Sequence, residues 1–156
     1  MADQRQIAGN RKAFRDYHIT DRLEAGIALL GSEVKSLRMG KANLKDAYAT
    51  IVKDEVFLQH LHIGPYDKAT IYNHDPLRTR KLLLKKREIK KLSMATLEKG
   101  LTIIPLSLYW KGNLVKVELA LARGKRMYDK RDAIAKRDQA RELDRVMKDH
   151  LKYRKR

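Results

Sequence analysis

The strongest signal for the fold is the stretch LVKVELAL at residues 114–121, in which four apolar residues alternate with Lys116, Glu118 and Ala120. This period of two predicts a half-buried β-strand. Residues 101–109, just upstream, are rich in apolar and β-branched side chains, and Lys111-Gly112-Asn113 supplies turn chemistry between the two stretches. We therefore predict a hairpin, with an edge or a bulge at Pro105 because proline cannot donate a ladder hydrogen bond.

Strands are also predicted in the N-terminal half. A second hairpin is drawn from residues 48–52 and 56–63, with its turn at Lys53-Asp54-Glu55, and residues 19–30 form a further strand with a bend at Gly26. One short helix is predicted after Ser32, and a longer one runs from Asp75-Pro76 to Gly100, either unbroken or with a break near Lys85-Lys86. Because strands and helices do not alternate as regular βαβ units, the predicted class is α+β, mainly β, with an antiparallel sheet that closes as a small barrel.

Positive charge is the second strong signal. The 156 residues include 36 Lys and Arg against 19 Asp and Glu, a formal net charge of +17, and no cysteine. A polyanion is the expected partner, while a disulfide framework, a thiolate metal site and a cysteine nucleophile are excluded. No apolar run approaches the length that spans a bilayer, so we expect a soluble, cytoplasmic protein without a membrane partner.

The excess charge lies in two blocks. Residues 78–91 hold eight basic residues against one acidic residue, and we interpret them as a helix that contacts phosphates, with a solvated helix face as the plainer alternative. Residues 123–156 hold fourteen basic residues against six acidic ones. Within this block Tyr128 stands among Lys125, Arg126, Lys130 and Arg131, where a ring can stack on a base while its neighbours hold phosphates.

The C-terminal block favours helix but is weakly apolar. Pairs such as Asp132 with Lys136 are placed at i,i+4, and each contributes only about 0.2–0.5 kcal/mol. An isolated helix of this composition is marginal. We therefore predict a flexible N-terminal lead at residues 1–9, a body at 10–123, and a tail at 124–156 that is disordered when free and helical against a partner.

Motifs for catalysis are not found in the sequence: there is no Walker loop, dinucleotide fingerprint or nucleophile elbow. His60 and His62 would share a strand face and could ligate a metal, but no further ligand has a recognisable spacing, so ordinary strand histidines are the simpler interpretation. Glu24 and Glu33 are interpreted as structural or as acceptors of RNA hydroxyl groups. No catalytic residue, metal or cofactor is predicted, and a general nucleic-acid-coating protein and a small RNA-modifying enzyme stay open as alternatives to a specific RNA binder.

Several short motifs follow one another in a characteristic order between residues 10 and 131. They are Asn10-Arg11-Lys12-Ala13, Leu23-Glu24-Ala25-Gly26-Ile27, Glu33-Val34-Lys35-Ser36-Leu37-Arg38, Asp75-Pro76, Arg80-Lys81-Leu82-Leu83-Leu84, Pro105-Leu106, Gly124-Lys125 and Asp129-Lys130-Arg131. In this order and spacing, over residues 10–131, the chain resembles the SsrA-binding protein (small protein B) family, the tmRNA partner of bacterial trans-translation. The tail matches in basic, helix-prone character more than in residue identity.

The resemblance implies an oligonucleotide-binding-type (OB-like) β-barrel with flanking helices and a basic C-terminal tail, and a binding protein rather than an enzyme. It implies binding to the tRNA-like domain of tmRNA (SsrA RNA) and delivery to stalled ribosomes, where the nascent peptide is tagged for degradation. Elongation factor Tu and alanyl-tRNA synthetase would be engaged through tmRNA. We expect a monomer whose tail becomes helical on the ribosome, in the mRNA channel near the decoding centre.

Site residues follow from the same resemblance. Asn10, Glu24, Leu83 and Lys116 match positions that the family uses for tmRNA recognition, and Arg11, Lys12 and Arg38 of the same motifs complete the predicted RNA-binding set. The implied ribosome-sensing segment comprises Gly124, Lys125, Tyr128, Asp129, Lys130 and Arg131. Leu83 could act by contact or by packing, since a leucine within Leu82-Leu83-Leu84 is equally typical of a core.

Overall fold

The computed structural model describes residues 4–68, 73–125, 141–143 and 145. The chain divides into two compact units, residues 1–124 and 125–156. In the second unit, residues 141–143 and 145 are helical. The predicted ribosome-sensing residues 128–131 and the predicted transition of the tail from disorder to helix lie outside the described residues.

The first unit is built from short helices placed between strands. Its elements are β1 (Gln4–Gly9), α1 (Arg11–Asp16), β2 (Tyr17–Ile27), α2 (Gly31–Arg38), β3 (Ala42–Asn43), β4 (Tyr48–Val52), β5 (Glu55–Gln59), β6 (His62–Ile63), β7 (Arg80–Leu83), α3 (Lys86–Lys99), β8 (Thr102–Lys111) and β9 (Leu114–Gly124).

The main sheet is antiparallel and closes on itself. Its seven strands follow the order β1-β8-β4-β5-β7-β2-β9, and β9 also pairs with β8, so the strands from β8 round to β9 form a ring with β1 beside β8. The strands β3 and β6 pair separately. This confirms the predicted α+β, mainly β class, and the closure expected of a small barrel is observed as this ring of strands with flanking helices.

The predicted hairpin at residues 101–121 is confirmed as β8 and β9, joined at Gly112, whose φ is +60°. A register shift lies between Pro105 and Ser107, which is where the proline requires an irregularity. Four alternating residues of β9, Val115, Val117, Leu119 and Leu121, are buried in the main core. Ala120 and Ala122 are buried on the other side of β9, in a smaller cluster with Ala13 of α1.

Two predictions for the N-terminal region are wrong. The prediction of a flexible lead at residues 1–9 is wrong for Gln4–Gly9, because these residues form β1 and pair with β8. The sequence did not reveal this strand because a polar stretch such as QRQ shows little alternation of apolar and polar residues. The strand at residues 19–30 is present as β2, but it passes unbroken through Gly26, and its irregularity lies between Ile19 and Asp21.

The long helix predicted from Asp75 to Gly100 is also wrong in its first half. Asp75 opens a turn instead, in which its Oδ1 accepts from the Leu77 N–H at 3.0 Å and its carbonyl accepts from the Arg78 N–H at 3.1 Å. Residues 80–83 form β7, and α3 begins only at Lys86. The helix ends as predicted at Gly100, which is left-handed with φ +63°.

The second hairpin is shorter than predicted. Strands β4 and β5 pair around Lys53 and Asp54, both at positive φ, as a type I′ turn requires. The chain then leaves the sheet at His60, whose φ is +58° and whose ring stacks on Tyr48 with centroids 5.5 Å apart. Consequently His60 and His62 do not share one strand.

A buried ion pair ties α2 to β7. The carboxylate of Glu33 and the guanidinium of Arg80 are both fully buried and bonded to each other through Oε2 and Nε. The four remaining N–H groups of Arg80 donate to the carbonyls of Leu61, Arg78, Pro76 and Asp75, at 2.6, 3.0, 3.3 and 3.5 Å. Glu33 Oε1 accepts from Arg78 Nη2 at 2.6 Å and from the Leu30 N–H at 2.8 Å. Of the two interpretations for Glu33, the structural one therefore applies.

Candidate nucleic-acid interface

Four strands place one row of residues on the outside of the ring. Gly26 of β2 pairs with Leu83 of β7 and with Lys116 of β9, and Lys116 pairs with Tyr109 of β8. Directly paired residues project to the same side of a sheet. Their strand neighbours Leu82, Val117 and Leu108 are buried in the core, so the row faces outward. We call this surface, with the next row described below, the outer face.

Leu83 is exposed on this face and is not part of the core. It is 53% exposed, whereas Leu82 is 1% exposed. A Cβ at Gly26 would lie 3.2 Å from the Leu83 Cβ, so the absence of a side chain at residue 26 lets Leu83 lie close against β2. The result is an apolar side chain held flat on an otherwise polar surface, where it can pack on a base or a sugar.

Glu24 organises the cations of the outer face. Its Oε2 accepts from the Tyr109 hydroxyl, and Lys111 Nζ lies 3.1 Å from Oε1. The hydrogen bond from Tyr109, with the charges of Lys111 and Lys116, lowers the pKa of Glu24 despite partial burial. Burial and the Glu24 carboxylate raise the pKa of Tyr109, which therefore stays protonated as a donor. An ionised Glu24 can accept from ribose hydroxyls while Lys116 meets a phosphate.

The next row of the outer face contains Glu24, Glu118 and Ser107, which pair across β2, β9 and β8. Glu118 accepts from Ser107 Oγ at 3.2 Å and pairs with Arg22 at 3.4 Å. A cavity of about 490 Å³ is lined by these residues together with Gln4, Gln6, Leu23 and Tyr109. A second cavity of about 630 Å³ shares Gln6, Ser107 and Glu118 with the first and extends to Arg11 and Lys12.

Asn10 has a positioning role in this arrangement. It is 6% exposed and caps α1, with Oδ1 accepting from the Ala13 N–H at 3.2 Å. Its Nδ2 donates to the carbonyls of Pro105 and Leu44, at 2.9 and 3.3 Å. Both amide hydrogens are used within the protein. Asn10 therefore fixes the start of α1, where Arg11 is exposed and Lys12 Nζ forms a surface ion pair with Asp46 at 3.2 Å.

The structure brings most of the predicted body residues together, but not Arg38. Arg38 is exposed at the end of α2 and lines neither cavity. Gly124 ends β9 opposite Tyr17, and Lys125 is half-buried in the second unit. The sequence prediction missed Tyr109 and Lys111 as site residues. Their signal was the alternation of Ser107, Tyr109 and Lys111 with buried Leu108 and Trp110, in a stretch interpreted only as an apolar-rich strand followed by a turn at Lys111.

Other kinds of site find less support in the described part of the chain. Among residues 4–68, 73–125, 141–143 and 145, no group of three His, Cys, Asp or Glu side chains could hold a metal ion. Within the same residues, no helix is long and apolar enough to cross a membrane. A closed antiparallel sheet whose outer face carries cations, fixed acceptors and exposed apolar side chains is typical of a nucleic-acid-binding protein.

Comparison with known proteins identifies the family. The family model described as SmpB protein matches residues 7–149. The SsrA-binding protein of Carboxydothermus hydrogenoformans is 55% identical over 142 residues, covering 91% of this chain and 95% of the relative. That of Syntrophobacter fumaroxidans is 58% identical over 144 residues, covering 92% and 89%. The chain belongs to the SmpB protein family.

A solved structure agrees with this family in fold. One chain from the structure described as "tmRNA-SmpB: a journey to the center of the bacterial ribosome" is 45% identical to this chain. The TM-score is 0.67, and the match covers 81% of this chain and 93% of the solved one.

Proposed function

We propose that this protein binds tmRNA (SsrA RNA) through the outer face and brings it to stalled ribosomes for trans-translation. The observation that carries the proposal is the meeting of Glu24, Leu83 and Lys116 on neighbouring strands, although they are far apart in sequence. Membership of the SmpB protein family supports the identity of the RNA. The description of the solved relative mentions both tmRNA and the bacterial ribosome, which supports action at the ribosome.

The two units have separate tasks in this proposal. The outer face, with Arg11 and Lys12, receives the tRNA-like domain, while the segment from Gly124 to Arg131 senses the decoding centre and the mRNA channel as the tail becomes helical. Elongation factor Tu and alanyl-tRNA synthetase are engaged through the RNA, and the protein acts as a monomer without a catalytic step of its own. The high positive charge of both regions supports two RNA surfaces.

A general nucleic-acid-coating protein is the second candidate, and the net charge of +17 favours it. The outer face argues against it. Glu24 and Glu118 lie in the middle of that face, each held by neighbouring side chains. A surface that only neutralises phosphates gains nothing from fixed carboxylates, whereas a surface that accepts hydrogen bonds from sugars or bases needs them.

Leu83→Ala tests the outer face directly. We expect this variant to bind the tRNA-like domain about 4- to 12-fold more weakly, because covering the exposed half of a leucine contributes about half of the 1.5–3 kcal/mol that full burial gives. Its thermal stability should stay close to that of the wild type, since Leu83 is half-exposed. Leu97→Ala on α3 is the matched control, because Leu97 is an exposed leucine on a helix and lines neither cavity of the outer face. Equal affinities of the two variants would show that the RNA binds elsewhere.

A further inference from the structure

Phe14 is an aromatic residue that the hydrophobic clusters of the fold do not include. Helix α1 packs on the ring through Ala13, which is 2% exposed and clusters with Ile104, Leu106, Ala120 and Ala122. Phe14 is outside that cluster and is 51% exposed. The Arg22 guanidinium lies over its ring, with Cζ 5.6 Å from the centroid. Arg22 in turn pairs with Glu118 of the outer face at 3.4 Å, so this cation connects Phe14 to the edge of that face.

The cavity beside Phe14 is suited to a nucleotide. Its volume is about 630 Å³, and its charged lining residues are the three cations Arg11, Lys12 and Lys45 against the single carboxylate of Glu118. An aromatic ring stacks on any nucleobase, and surrounding cations hold the adjacent phosphates. A guanidinium over the ring also favours one ring orientation before RNA arrives.

We propose that Phe14, held by Arg22, is a stacking platform for one unpaired base of the bound RNA, with Arg11, Lys12 and Lys45 on the flanking phosphates. This inference rests on the proposed function, which it extends from the strands of the outer face to helix α1. The two regions are continuous, because the cavity at Phe14 shares Gln6, Ser107 and Glu118 with the cavity at Glu24. Phe14 thereby adds a contact that responds to whether a base is unpaired.

The test is a titration of the full chain with the tRNA-like domain of tmRNA, in which single unpaired bases are replaced by fluorescent 2-aminopurine. Phe14→Ala should weaken binding roughly 5- to 100-fold and abolish the fluorescence quenching at one position. Phe14→Trp should retain both, whereas Phe14→Leu, which keeps apolar bulk without a ring, should lose both. Lys45→Ala should instead reduce the slope of log binding constant against log salt concentration by about 0.7–0.9 in magnitude. Phe14→Ala should leave this slope unchanged.

Two results would overturn the platform alone. In the first, Phe14→Ala binds as tightly as the wild type, and the wild type prefers the tRNA-like domain to an unrelated stem-loop. This outcome would leave the proposed function intact. The other is Phe14→Leu with full affinity and full quenching, which would reduce Phe14 to apolar packing. A wild type with no preference between the two RNAs would overturn the platform and the proposed function together.

Discussion

Glu33→Gln is expected to lower the free energy of unfolding by about 3–5 kcal/mol, the largest stability effect that we foresee for a single substitution. The reason is that Arg80 would remain fully buried, with all its N–H groups oriented, but without its counter-charge. The amide would also present an N–H₂ group to Arg78 or Arg80, where the carboxylate now accepts from both. Chemical denaturation followed by circular dichroism measures the change.

Glu55→Gln is the matched control for that substitution. Glu55 also pairs with a basic residue of β7, Lys81, at 3.4 Å, but both side chains are about half exposed. An exposed pair contributes at most about 1 kcal/mol, so the control should unfold almost as the wild type does. Equal effects of the two substitutions would mean that the buried pair does not stabilise the link between α2 and β7.

The pH dependence of stability gives the same pair a second signature. Burial alone would raise the pKa of Glu33, but the hydrogen bonds from Arg78 and the Leu30 N–H and the charge of Arg80 outweigh it, and the pKa lies below its ordinary value of 4.5. A carboxyl with a lowered folded-state pKa stabilises the protein above its unfolded pKa and loses that contribution as the pH falls through the folded pKa. Glu33→Gln should lack this part of the acid-induced loss of stability.

A chain that ends at Gly124 is expected to bind the tRNA-like domain within a few-fold of the full-length protein and to fail completely in tagging on stalled ribosomes. The strands that build the outer face all lie in the first unit, residues 1–124. The removed residues carry much of the positive charge, so a moderate loss of salt-dependent affinity is expected as well. Filter binding and a reconstituted tagging reaction measure the two effects separately.

A scrambled tail is the control for the truncation. Residues 125–156 in shuffled order keep the length and the charge but lose the arrangement of Tyr128 and Asp129 among their basic neighbours. This variant should recover the nonspecific part of the affinity without recovering tagging. Tagging by the scrambled protein would show that charge alone suffices, and loss of tmRNA binding on truncation would contradict the division of tasks between the units.

The local pattern was enough to predict the β8–β9 hairpin, the end of α3 at Gly100 and the fold class. It failed where a tertiary contact overrides the pattern. Arg78 and Arg80 look like members of a solvated basic helix, yet Arg80 is buried against Glu33, a residue 47 positions away. Pairing with Glu33 allows the charged Arg80 to be buried two residues before Leu82, on the inner side of β7.

The resemblance to a family selected residues from three separate strands that the fold brings together. Glu24, Leu83 and Lys116 lie together, which their sequence spacing could not reveal because β2, β7 and β9 meet only after the ring closes. Asn10 was expected to meet RNA, but its amide hydrogens are used by the carbonyls of Leu44 and Pro105. A polar side chain can be satisfied by RNA or by distant backbone, and the sequence does not distinguish the two.

The proposed function depends on specific recognition of tmRNA by the outer face. The most direct test is the titration of the wild type and of Glu24→Ala with the tRNA-like domain and with an unrelated stem-loop, at about 50 and about 200 mM salt. We predict that the wild type prefers the tRNA-like domain by about 100-fold or more at both salt concentrations, and that Glu24→Ala loses most of this preference. Equal affinities of the wild type for the two RNAs, falling together with salt, would contradict the account.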